Sequence, residues 1–190
     1  MALTPSTMMP LGTTAPDFTL PDTVSGKRIS LQNAKGAKGT LVMFICNHCP
    51  YVKHIKDALS KLGKDYIGKN SANSGIAIIA INANDAVNYP DDAPDKMKVF
   101  AQQNHFAFPY LHDESQSVAK SYGAACTPDL FLFDGNLKCV YRGQFDDSRP
   151  GNNIPVTGKD LRSAMDNLLA GKAIDAKQQP SMGCNIKWRN

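Results

Sequence analysis

The sequence predicts an α/β fold in three layers, with a central mixed β-sheet flanked by helices. Three stretches rich in apolar, β-favouring side chains are typical of buried strands: residues 40–45, 75–82 and 130–133. The first two are separated by a helical pattern, which indicates a parallel pair joined by a right-handed crossover. The third is followed by the hairpin turn Asp134-Gly135-Asn136 and residues 138–142, which add an antiparallel strand.

The chain is organised around residues 40–52, where the first strand runs directly into Cys46-Asn47-His48-Cys49. Apolar residues then follow at the spacing of one helix face, at Val52, Ile55, Leu59, Leu62 and Tyr66. The cysteines therefore sit at a strand-to-helix turn, where the first helical N–H groups have no partner and the helix dipole is positive. Such a place stabilises a thiolate, the reactive form of cysteine. A protonated His48 adds a second positive influence.

Two other interpretations of the cysteine pair are half of a zinc site and two inert buried thiols. Zinc usually takes four ligands arranged as two pairs, and the sequence has no second C-x-x-C or C-x-x-H. The strand–C-x-x-C–helix context favours redox chemistry. A metal-binding module would have to draw on Cys46, Cys49, Cys126 and Cys184 together. We expect neither a cofactor nor a resident metal.

Composition excludes several classes of partner. The chain has 190 residues, enough for a single domain, 1–190, with a substantial core. Its 17 acidic residues are interspersed among 21 basic ones, for a net charge of +4. The sequence has no Lys/Arg run, so we expect no nucleic acid or membrane partner.

We expect the protein to lie in the cytoplasm, a reducing compartment. Residues 1–14 have neither the basic nor the apolar region of a signal peptide, and no apolar run approaches the roughly 18 residues of a membrane span. A processed secreted form would also lack its signal. In a reducing compartment, five cysteines are more often reactive or buried than joined in a structural disulfide framework.

The remaining segments are predicted from local patterns. Residues 16–22 and 26–31 indicate an N-terminal β-hairpin extension, and helices are expected at 95–104, at 114–122, and from a cap at Thr157 to Gly171. Residues 143–156 form a long polar loop, which is usually functional or mobile. We predict a loose N-terminal arm at 1–15. The C-terminal tail, 172–190, shows no regular pattern, yet it contains Cys184 and Trp188.

The order of these elements, with C-x-x-C at the first strand-to-helix turn, resembles the thioredoxin-like superfamily. Cys46-Asn47-His48-Cys49 resembles its active-site pair, and Thr127-Pro128 resembles its cis-proline site. Three further segments are similar to the redoxin (AhpC/TSA-like) branch, which joins peroxiredoxins with thioredoxin-like reductases: 15–20, 108–113 and 118–123. The resemblance covers about residues 13 to 170.

The chain departs from the peroxiredoxin motif P-x-x-x-T-x-x-C. Cys46 stands where that motif has its Thr, Cys49 where it has its peroxidatic Cys, and Val42 where it has its Pro. Pro128 takes the place where peroxiredoxins typically offer an Arg. The resemblance with these departures implies a thiol–disulfide oxidoreductase. A peroxiredoxin-like antioxidant thiol peroxidase, with Cys126 or Cys184 resolving, is the alternative.

The resemblance also implies roles for the site residues. Cys46 is expected to attack a disulfide and Cys49 to resolve the mixed disulfide, in keeping with a greater exposure of the first residue of the turn. His48 would favour the thiolate and raise the reduction potential, unless it simply faces solvent, and Asn47 would only turn the chain. Thr127, held by a cis Pro128, would pair its backbone with an incoming peptide.

The implied partners are a protein or small-molecule disulfide and a thiol electron donor such as a thioredoxin or glutathione system. Of the remaining cysteines, Cys139 is expected in the core. Cys126, two residues before Pro128, is expected to face the pair, and we hypothesise that it forms a second redox pair with Cys184. The alternatives are that Cys126 is a small buried hydrophobe and Cys184 a free tail thiol.

Overall fold

The computed structural model describes residues 3–67 and 75–189. Within these residues the strands are β1 Leu3–Pro5, β2 Thr19–Pro21, β3 Arg28–Ser30, β4 Gly39–Phe44, β5 Ile76–Asn82, β6 Tyr110–His112, β7 Cys126–Thr127, β8 Asp129–Asp134, β9 Cys139–Arg142 and β10 Met182–Asn185. The α-helices are α1 Leu31–Ala34, α2 Pro50–Ile67, α3 Pro94–Gln103, α4 Ser117–Tyr122 and α5 Lys159–Leu169, and a 3-10 turn spans Pro90–Asp92.

The central sheet has the strand order β6-β5-β4-β8-β9. β4 pairs in parallel with β5, and β5 with β6, whereas β8 runs antiparallel to both β4 and β9. The predicted mixed sheet is therefore confirmed, with β4, the strand that leads into the cysteine pair, at its centre.

Successive residues of β4 point to opposite faces of this sheet, as strand geometry requires. Leu41 and Met43 join a core cluster with apolar residues of α2, α3 and α5, whereas Val42 and Phe44 join a second cluster with residues of α1 and α4. Every residue of β4 is buried. Burial on both faces explains why this strand is an unbroken apolar run rather than an alternating one, and it confirms the three layers.

α2 starts immediately after the cysteine pair. Pro50 is its first residue, a position where the missing N–H of proline costs nothing. The Cys49 carbonyl accepts the first helical hydrogen bond, from the Lys53 amide at 2.9 Å. Cys49 is thus the residue that caps the helix N-terminus.

The two chain ends differ from the sequence-based expectation. The N-terminal arm is not loose, since Leu3–Pro5 forms β1, and the tail contains β10. These two strands and β7 form a second sheet in the order β1-β10-β7, antiparallel throughout. The paired strands of this sheet are separated by more than 50 residues of sequence, and each spans four residues or fewer. Strands this short have no periodicity from which the sequence could predict them.

The hairpin extension and the start of α5 lie at the periphery of the domain. β2 and β3 pair antiparallel, which confirms the hairpin extension. The N-cap of α5 is Gly158 and not Thr157. The buried Asp146 carboxylate accepts hydrogen bonds from the Thr157 and Gly158 amides, at 2.7 and 2.6 Å. The same contacts anchor the long loop 143–156. In the described part of the chain, no helix combines the length and apolarity needed to cross a bilayer.

Candidate active site

Cys46 and Cys49 lie between the end of β4 and the start of α2, and both are enclosed. Their exposed fractions are 1% and 0%. The greater exposure of Cys46 that the sequence argument assumed is therefore absent. Thr127 contacts both thiols: its Oγ1 lies 3.3 Å from the Cys46 Sγ, and its carbonyl oxygen accepts a hydrogen bond from the Cys49 Sγ at 3.1 Å. The folded chain thus brings the pair against the segment before Pro128.

The Thr127-Pro128 peptide bond is cis, as predicted. The backbone of Thr127 is already paired, however, with Cys184 of β10 as its direct antiparallel partner. The strand edge that we expected an incoming peptide to use is therefore covered by the chain's own tail. Sequence reasoning missed this because the tail has no strand signature of its own.

The two thiols share protons as a coupled pair. The pKa of Cys49 is lowered, chiefly because the Cys46 thiol donates a hydrogen bond to its sulfur, with further donation from Thr127 and from the Val52 and Cys184 amides. The pKa of Cys46 is raised by that same hydrogen bond, by burial and by the charge of Asp92. The pair therefore loses one proton at a lower pH than an ordinary thiol and the other proton at a higher pH. The more stabilised thiolate belongs to Cys49, at the helix cap, whereas the nucleophile predicted from the sequence is Cys46.

His48 is mostly enclosed rather than solvent-facing. Its side chain is 14% exposed and its Nδ1 lies 2.6 Å from an Asp92 carboxylate oxygen. That hydrogen bond raises the pKa of His48 above its ordinary value. The ring also stacks on Tyr89, with centroids 5.7 Å apart and planes 10° apart. The alternative that His48 simply faces solvent is therefore not what the structure shows.

Asp92 is the residue of this site that sequence reasoning missed. Its side chain is fully buried and accepts hydrogen bonds from His48, from the Asn47 amide at 2.8 Å and from Asn84 at 2.8 Å. Asn47 also accepts a hydrogen bond from Tyr110, so it does more than turn the chain. The carboxylate comes from the 3-10 turn at Pro90–Asp92, in a loop whose polar composition gave no signal of burial.

A metal would find few free ligands here. The ligand atoms of Cys46, His48 and Asp92 lie within 4.8 Å of one another, but both carboxylate oxygens of Asp92 already accept hydrogen bonds. The set of four cysteines considered above does not converge, since Cys126 lies on the other face of its strand. We interpret the cluster as a hydrogen-bonded network around the dithiol.

The remaining cysteines are placed differently from the prediction. Cys184 is directly opposite Thr127, whereas Cys126 is opposite Asn185. Directly opposed residues of an antiparallel pair share a face and successive residues alternate, so Cys126 and Cys184 point to opposite faces. The register therefore does not favour the predicted Cys126–Cys184 pair, which stays a prediction. Cys139 is buried in the core, as predicted.

Comparison with known proteins gives consistent matches. Residues 11–142 match the AhpC/TSA family. The thioredoxin-like protein YneN of Bacillus subtilis (strain 168) is 31% identical over 123 residues, which is 65% of this chain and 65% of that protein. The thiol-disulfide oxidoreductase ResA of Geobacillus thermodenitrificans is 30% identical over 135 residues, or 71% and 70% of the two chains.

Solved structures extend the likeness beyond the family match. A conserved protein of uncharacterised function from Geobacillus kaustophilus superimposes with a TM-score of 0.95 at 51% identity, covering 100% of this chain and 97% of that one. A thiol-disulfide oxidoreductase from Bacteroides fragilis has a TM-score of 0.59 at 18% identity over 80% of this chain and 98% of that one. At that identity the likeness concerns the fold alone, which is thioredoxin-like.

Proposed function

The chain belongs to the AhpC/TSA family, and we propose that it is a thiol–disulfide oxidoreductase whose working pair is Cys46 and Cys49. One observation carries this proposal: both thiols of the pair contact Thr127, beside the cis Pro128, at the N-terminus of α2. A thiolate is held ready there, next to a second thiol close enough to resolve a mixed disulfide.

The reaction that this arrangement supports proceeds in two exchanges. The Cys46 thiolate attacks one sulfur of the substrate disulfide, a mixed disulfide forms, and the other substrate sulfur leaves as a thiolate. Cys49 then gives its proton to the released substrate thiolate, and the Cys49 thiolate attacks the Cys46 sulfur, so that the second substrate sulfur leaves as a thiolate and the Cys46–Cys49 disulfide remains. Because the pKa of Cys49 is lowered and that of Cys46 is raised, a proton has to pass from Cys46 to Cys49 before the first attack.

The substrate and the electron donor follow from the chemistry of the pair. The substrate is a protein or small-molecule disulfide, and two electrons must return from a thiol donor of the thioredoxin or glutathione type. Because β10 covers the backbone edge of Thr127, a small disulfide can be accepted with less displacement of the tail than an extended peptide. We place this exchange in the cytoplasm, where such donors keep thiols reduced.

The proposal is tested by insulin reduction with single-cysteine variants. Cys46→Ser is expected to abolish turnover, whereas Cys49→Ser is expected to accumulate mixed disulfides that a mass spectrum reveals. Cys139→Ser, which alters a thiol of β9 in the other core cluster, is the matched control and should keep its activity. A Cys46→Ser variant that retains most of its turnover would show that the assigned nucleophile is wrong.

A thiol peroxidase is the second candidate, and the position of Cys49 favours it. Cys49 occupies the peroxidatic place of the family motif, caps α2 and has the lowered pKa of the pair. Its complete burial and the replacement of the motif's Thr by Cys46 favour disulfide exchange instead. A rapid burst of hydrogen peroxide consumption, lost in Cys49→Ser, would support the peroxidase; insulin reduction without peroxide turnover would support the oxidoreductase.

A further inference from the structure

The tail is built to lie closely on the segment before Pro128. β10 is the middle strand of its sheet, with Leu3 of β1 opposite Cys184 on one side and Thr127 of β7 on the other. A methyl group on Gly183 would overlap the Thr127 carbonyl oxygen. Only glycine therefore allows this approach without a shift of the backbone. Beyond the strand, the Lys187 amide donates to Asn84 at 2.8 Å, which fixes the tail to the Asp92 network.

This docking brings a third thiol into the redox site. Cys184 is the direct cross-strand partner of Thr127, so the two side chains share a face, and Thr127 is the residue that contacts both Cys46 and Cys49. Cys46, Cys49 and Cys184 belong to one buried cluster, and Cys184 is 5% exposed. Cys126 instead directs its thiol to the Pro128 carbonyl, at 3.5 Å. The register therefore places Cys184, and not Cys126, on the face of β7 that meets the Cys46–Cys49 pair.

From this geometry we infer that Cys184 is a third redox thiol, which exchanges with the Cys46–Cys49 disulfide to form a Cys49–Cys184 disulfide. The inference rests on the proposed function, which supplies the oxidised pair. It replaces the Cys126–Cys184 pairing that the sequence suggested.

The exchange needs no additional oxidant. The Cys184 thiolate attacks the Sγ of Cys49, a Cys49–Cys184 bond forms, and the Cys46–Cys49 bond breaks with its electron pair on Cys46. The proton lost by Cys184 is taken up by solvent or by Cys46, so the number of disulfides and electrons is unchanged. Cys46 returns to its thiol form beside Thr127, whose hydroxyl lies 3.3 Å away. The chain would then hold its oxidising equivalent in the tail while Cys46 is free.

The test is disulfide mapping of the full-length Cys46→Ser variant after treatment with oxidised glutathione. Trypsin separates the thiols into distinct peptides: 39–53 with Cys49, 121–138 with Cys126, and 178–187 with Cys184. We expect the peptides 39–53 and 178–187 to be crosslinked. In the wild type, fragmentation of the same crosslink should place the bond at Cys49 in a fraction of molecules.

Two further variants keep the result interpretable. In Cys46→Ser/Cys184→Ser the crosslink should be lost and Cys49 should instead carry glutathione, whereas Cys46→Ser/Cys126→Ser should give the crosslink unchanged. Circular dichroism of each variant confirms folding. The inference is overturned if folded Cys46→Ser leaves Cys184 fully alkylatable, or if peptide 178–187 is joined to 121–138. If wild type forms the Cys46–Cys49 disulfide in the same assay, that failure leaves the proposed function intact; if it does not, the proposed function itself fails.

Discussion

Removing the imidazole of His48 should make the protein a weaker oxidant. The sequence predicted a reduction potential above thioredoxin's value of about −270 mV, because His48 and the helix N-terminus favour the thiolate. In the structure the His48 Nδ1 lies 2.6 Å from the buried carboxylate of Asp92, and the protonated imidazole offsets that negative charge. His48→Ala leaves that negative charge uncompensated beside the dithiol, which disfavours the thiolate of the reduced form.

The size of the effect follows from the geometry. The Cys46 Sγ, a ring nitrogen of His48 and a carboxylate oxygen of Asp92 lie within 4.8 Å of one another. Two unit charges at that separation interact by about 3 kcal/mol at an effective dielectric constant near 20. Since His48 is partly exposed, solvent screening reduces this to roughly 1–2 kcal/mol. At about 30 mV per 1.4 kcal/mol for a two-electron couple, the potential should fall by roughly 20–40 mV.

The assay is a redox titration against glutathione, with wild type, His48→Ala and His54→Ala compared at several pH values. His54 lies on α2 and hydrogen-bonds Ser148, so its variant is the control and should show no shift. The pKa of His48 is raised by Asp92, so the imidazole is charged below that pKa and loses its charge as the pH rises through it. The difference between wild type and His48→Ala should therefore shrink at high pH. An unchanged or more positive potential for His48→Ala would refute the argument.

Two predictions concern the tail and a buried carboxyl. Gly183→Ala should push β10 away from the Thr127 carbonyl, so both thiols of the pair should react faster with Ellman's reagent; an unchanged rate would show that β10 does not cover them. Burial raises the pKa of Asp129 to about 6 from an ordinary 3.8, so the folded state binds the proton more tightly. The free energy of unfolding should fall by about 3 kcal/mol as the pH rises from below 4 to above 6. Urea denaturation of Asp129→Asn at the two ends of this range should lack that loss, and an equal loss in both proteins would contradict the assignment.

The sequence alone determined the central sheet and the position of the dithiol. Residues 40–45, 75–82 and 130–133 are apolar because each strand is covered on both faces, and this constraint is visible in every local window. The C-x-x-C pair at the start of α2 was likewise predictable, since a strand, two cysteines and a helical repeat follow one another directly. The cis Pro128 came from the family resemblance rather than from any local pattern.

Only the tertiary structure decided what surrounds the dithiol. Asp92, Thr127 and Cys184 lie 43, 78 and 135 residues from Cys49 in sequence, and the contacts that unite them involve single side chains or strands of two to four residues. Periodicity cannot register elements that short. The register of β10 against β7 decides to which face of the sheet Cys126 and Cys184 point, because a shift of one residue moves every side chain of a strand to the opposite face. For this reason the sequence could not indicate which thiol of the tail or of the segment before Pro128 faces the Cys46–Cys49 pair.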